Sequence, residues 1–140
     1  VIGMQELCAS LLAFLLAAGA TEAPLPPCPS LVVVAPETLA RLACSGPCEA
    51  AGAYYAATAH SVYLPAGFDA DDVQQRGILL HELVHYLQDL RGEFTRGDCH
   101  AGLLREVQAF RWQERYLQTQ GAWQPVSMAL LGYGCAGEPS

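Results

Sequence analysis

The sequence predicts one α+β domain, a small mixed sheet packed against two long helices. Three observations carry that prediction. Short β-branched or aromatic runs and longer helical patterns follow one another as strand, helix, strand, strand, helix, helix. A chain of 140 residues can bury one core but not two. Finally, 52% hydrophobic residues against 15% charged excludes a disordered chain, because disorder requires the opposite balance.

The elements follow in chain order. Leu7 to Ala20 is an apolar run ending in Ala18-Gly19-Ala20. It is too short to span a bilayer, and its length and small-residue end match a secretory leader cut between Ala20 and Thr21. Residues 1–20 are therefore expected to be a signal peptide, although Val1 to Glu6 contains no Lys or Arg. Residues 21–30 form a Pro-rich lead-in, and 31–140 the folded domain. Leu31 to Val34 reads as a buried strand. Pro36 and Glu37 then suit the first turn of a helix that runs to about Cys44 and stops at Ser45-Gly46-Pro47. Gly52 to Ala59 and Ser61 to Leu64 read as two strands of a hairpin around His60. Asp69, Asp71 and Asp72 precede a helix from about Asp72 to Leu90, which Gly92 ends. A last helix spans about Ala101 to Gln118. The tail, with Trp123, Tyr133 and Cys135, carries no clear pattern.

Charge and cysteine content narrow the setting. Fourteen acidic residues face seven basic ones, all Arg, giving a net charge of −7. A nucleic-acid partner needs a basic surface and is excluded. Six Cys in so short a chain imply an oxidising compartment, secreted or periplasmic. With Cys8 lost in the leader, the expected bridges are Cys44–Cys48 and Cys99–Cys135, with Cys28 spare, among fifteen arithmetically allowed pairings.

The chemistry lies in His81-Glu82-Leu83-Val84-His85. Four residues of helix advance about 6 Å and turn about 400°, so both imidazoles share one face, one turn apart. Two ring nitrogens can then reach one Zn²⁺. Glu82 is offset by about 100°, beside the metal without ligating it, where it can take a proton from water. Given this composition, the motif arises by chance in roughly 0.7% of such chains. Its helix is otherwise apolar, and burying two His and a Glu there costs several kcal/mol unless something pairs them.

A catalytic zinc site takes three protein ligands and keeps a fourth position open. Gln88 and Arg91 stand where a metzincin would have Gly and His. On the wheel of the last helix, with Leu103 at 0°, the apolar arc runs from about 220° through 0° to about 40°, and Glu106 falls near its middle at about 300°. Ala109, one turn on, is small enough to let two helices approach. Glu106 is the leading third ligand; Glu114 and Asp98 compete. His60 and His100 read as turn and helix-start residues, though either could serve an oxyanion, as could Tyr86 or Tyr133.

With these residues in view, the chain resembles the gluzincin branch of the zincin metallopeptidases, in a small single-domain form. The resemblance rests on His81-Glu82-Leu83-Val84-His85, and on Glu106 with Ala109 in the segment REVQAF. It implies a zincin-like fold, with an edge strand (Ser61 to Leu64 or Gly52 to Ala59) lining a cleft above the zinc. It implies Zn²⁺ on His81, His85 and Glu106, and peptide hydrolysis with Glu82 as general base. The expected partner is a peptide or protein substrate. A zincin scaffold used only for binding, and a zinc hydrolase of a non-peptide amide, are the competing readings. The presence of Glu82 favours catalysis, since a purely structural site has no use for a base.

Overall fold

The computed structural model describes residues 2–43, 52–95 and 97–135. Seven elements carry the fold: α1 (Met4–Ala17), β1 (Ser30–Val34), α2 (Pro36–Ala43), β2 (Tyr54–Ala56), β3 (Ser61–Pro65), α3 (Val73–Leu90) and α4 (Cys99–Thr119). Short 3₁₀ segments at Ala57–Ala59 and Val126–Gly132 complete it. The architecture is mixed α+β, as the sequence predicts.

The sheet has three strands in the order β1-β3-β2. β1 runs parallel to β3, from Ser30 opposite Ser61 to Val34 opposite Pro65, with α2 in the connection. β2 is antiparallel to β3, Tyr54 facing Tyr63 and Ala56 facing Ser61. The expected hairpin forms with a shorter first strand than Gly52 to Ala59, because Ala57–Ala59 winds into a 3₁₀ turn that His60 closes in the left-handed region at φ 45°. β3 is central and buries Val62 and Leu64 completely. Among the described residues β2 pairs with a strand on one side only, and its other edge borders the site.

α3 starts where Asp72 accepts hydrogen bonds from the backbone N–H groups of Gln74 (2.8 Å) and Gln75 (3.2 Å). Those bonds hold the Asp72 carboxyl below the usual carboxylate range. Asp98 caps α4 through Ala101 N–H at 2.8 Å. The two helices pack closely along Gly77 and Ala109. A Cβ on Gly77 would lie 3.1 Å from Leu117 Cδ2, so only glycine fits without a shift there, and Ala109 is wholly buried.

Two expectations concern the N-terminal segments. The run read as a leader is α1, and it packs into the core. Leu7, Cys8, Leu11, Leu12 and Leu15 are each 2% exposed or less, and they form one cluster with Leu79, Leu83 and Leu117. The sequence pattern is ambiguous because a leader core and a buried helix are both uninterrupted apolar runs of this length. Cys28 is not spare: it is bonded to Cys8. The lead-in is therefore tied down, and the Tyr86 hydroxyl fastens it again by donating to Pro27 O at 2.7 Å. Cys99–Cys135 forms as expected. The expected Cys44–Cys48 bridge lies outside the described residues. The two described bridges are compatible with an extracellular location. Among the described residues, no helix is long and apolar enough to cross a membrane.

Candidate metal centre

α3 presents His81, Glu82, His85 and Asp89 to a cavity of about 660 Å³, which α4 closes with Arg105 and Glu106. The edge strand β2 forms the facing wall through Tyr54 and Tyr55.

Three of the expected site residues converge. His81 Nε2 lies 3.1 Å from Glu106 Oε2, and His85 Nε2 lies 2.8 Å from Glu106 Oε1. One ligand atom from each of the three residues lies within 4.8 Å of the others, so together they could hold a metal ion. Burial would push the Glu106 carboxyl up, but the hydrogen bonds and charges of both histidines outweigh it and hold that carboxyl well below the usual carboxylate range. Burial likewise pulls His85 down, and the Glu106 bond with the charges of Glu82 and Glu106 more than reverses it.

The far side of each ring is also held. His81 Nδ1 meets Gln113 Oε1 at 3.0 Å, and His85 Nδ1 meets Gln88 Oε1 at 2.8 Å. Gln88 is fully buried. Its amide nitrogen donates to Arg105 O (3.1 Å) and Gln108 Oε1 (2.9 Å), which leaves its oxygen for the imidazole. An amide oxygen can only accept, so Nδ1 is the donor toward each glutamine and Nε2 is the atom turned to Glu106. Both Nε2 atoms therefore face the shared centre, as metal ligands with such outer partners do.

The other candidates are elsewhere. Glu114 accepts from Ser127 N–H at 2.7 Å, holding the tail, and Asp98 is a helix cap. Tyr86 is spent on Pro27, and Tyr133 donates to Cys99 O at 3.5 Å. His60 lies 3.5 Å from Asp89. Reasoning from the motif alone passes over Gln88, Gln113 and Tyr55. The wheel that picks Glu106 also carries a signal for Gln113, which falls at about 280°, a polar residue on the same apolar arc.

The family profile described as "Domain of unknown function (DUF6647)" matches residues 3–136. The chain belongs to the DUF6647 family. The match takes in α1 as well as both site helices, so the buried N-terminal helix lies within the DUF6647 domain. Neither a curated protein nor a solved structure matches this DUF6647 chain.

Proposed function

We propose that the protein is a zinc-dependent metallopeptidase on a small zincin-like scaffold, acting in a secreted or periplasmic setting. The observation that carries the reading is the convergence of His81 Nε2, His85 Nε2 and both Glu106 oxygens, with each histidine's other nitrogen already satisfied by a buried glutamine. Two imidazole nitrogens and one carboxylate match the donor set of a catalytic zinc site with an open position. One ligand atom from each residue lies within 4.8 Å of the others, the compactness that a shared ion requires.

His81, His85 and Glu106 would hold Zn²⁺, which when bound supplies Lewis acidity toward a carbonyl and toward water. Glu82, the residue between the two ligands, borders the cavity but is not part of the converging set. It accepts a proton from the attacking water and returns it to the leaving amine. Glu82 sits against β2, where it accepts the Tyr55 N–H, and the rest of that strand edge borders the cavity in which an extended peptide would lie.

The test is metal stoichiometry together with chelator-reversible hydrolysis of a peptide library. His81→Ala and His85→Ala abolish stoichiometric zinc. Glu82→Gln keeps zinc and loses hydrolysis by about 10²–10⁴-fold. Stoichiometric zinc in both His variants, or full hydrolysis by the Glu82 variant, overturns the reading.

A further inference from the structure

We infer that Tyr55 is a positioning residue for the base: a two-point clamp, its backbone N–H on Glu82 and its hydroxyl on Asp89, sets the orientation of the Glu82 carboxylate. The inference rests on the reading of Glu82 as general base and adds the device that aims it.

The clamp starts from the sheet. Alternate residues of an edge strand turn their N–H groups away from the neighbouring strand, and such a group needs a partner. Tyr55, opposite Val62, sends its N–H to Glu82 Oε1 at 3.0 Å. The same residue's hydroxyl donates to Asp89 Oδ2 at 2.7 Å. Glu82 and Asp89 are two turns apart on α3, so one residue of the strand is fastened to one face of the helix at two heights.

The surroundings keep the clamp closed. Tyr55 is 8% exposed, and its ring meets Tyr86 edge-on with centroids 5.9 Å apart. Burial and the Asp89 carboxylate both push the Tyr55 hydroxyl up, so it stays a donor through the physiological range. Both bonds end on carboxylates and are charge-assisted, the stronger kind. With Oε1 committed to the strand, the carboxylate cannot spin about its terminal bond, and Oε2 becomes the proton acceptor. The base is then aimed before substrate arrives, and placement of this kind is worth much in rate.

The zinc-loaded full chain tests this. Tyr55→Phe removes one hydroxyl and keeps the ring packing. It lowers kcat about tenfold while KM and zinc affinity stay within about twofold, since only part of the base's contribution is lost. Asp89→Asn, which still offers an oxygen to the hydroxyl, loses less kcat than Asp89→Leu. Amide hydrogen exchange at Tyr55 reads the clamp without any substrate. Glu82→Gln and Tyr55→Phe each speed it about tenfold, while the other β2 and β3 amides change little. A Tyr55→Phe variant with the parent's kcat and the parent's exchange rate at this amide overturns the inference, as does a loss confined to zinc affinity or to global stability. If no form of the protein hydrolyses any peptide, the peptidase reading fails, and an unchanged exchange rate at Tyr55 still refutes the clamp.

Discussion

Whether α1 belongs to the working protein turns on one buried side chain. Leu11 is 1% exposed and sits within the cluster that includes Leu79, Leu83 and Leu117. Truncating it to Ala removes buried methyl groups and leaves a cavity that the packed helices cannot close, at a cost of about 3 kcal/mol. Unfolding entropy near the midpoint is about 2.1 cal/mol/K per residue. For 140 residues that makes about 0.3 kcal/mol/K, so Leu11→Ala lowers Tm by about 10 °C. Ala9→Ser, on the exposed side of the same helix, changes stability by less than about 0.5 kcal/mol. Thermal unfolding followed by circular dichroism, on chains whose N-terminus is verified by mass, measures both. Equal Tm values for the two variants would refute the placement of α1 in the core and restore the leader reading.

Other outcomes follow from the same contacts. Gln88→Leu and Gln113→Leu each weaken zinc binding about 10- to 100-fold in chelator competition, because the ring loses its outer partner. Glu106→Gln weakens it too, whereas Glu114→Gln, whose side chain holds the tail, leaves it unchanged. Removing the Cys8–Cys28 bridge by Cys8→Ser with Cys28→Ser lowers unfolding free energy by about 3 kcal/mol in denaturant titration, as expected for a loop closed over 20 residues. Metal competes with protons at His85, which Glu106 keeps charged above the ordinary imidazole range despite burial. Apparent zinc affinity therefore rises with pH and goes on rising above about pH 6.5. A plateau already at pH 6.5 would contradict that balance.

The legible parts of the molecule were those with a local cause. Asp72 and Asp98 cap their helices by bonds to residues two and three positions on, so the start of α3 could be read to within a residue. The hairpin at His60 and the grouping of His81, His85 and Glu106 also follow from period and spacing. What stayed hidden is long-range. The helical pattern of Leu7, Leu11 and Leu15 says only that one face is apolar; whether lipid, a translocation channel or α3 covers it is settled by packing. Cys28 looked spare because its partner lay in the segment assigned to a leader. Gln113 reaches His81 from the other helix, and Gln88, three residues after His85 on its own helix, is turned toward that imidazole by donating to Arg105 O and Gln108 Oε1 across the packed interface. The bond from Tyr55 to Glu82 joins residues 27 apart through a main-chain group, which no side-chain pattern encodes.

The two glutamines have a consequence of their own. Histidine ligands are commonly backed by carboxylates, which share the ring proton and feed electron density toward the metal. Here both backing groups are uncharged amides. They withhold that density, so an ion held here would keep more of its pull on whatever filled an open position. They also do not titrate. A carboxylate support is neutralised on acidification and can release its ring; an amide cannot. The scaffolding behind the histidines is thus indifferent to acid, and the onset of metal loss on acidification would be left to the proposed ligands themselves, His81, His85 and Glu106.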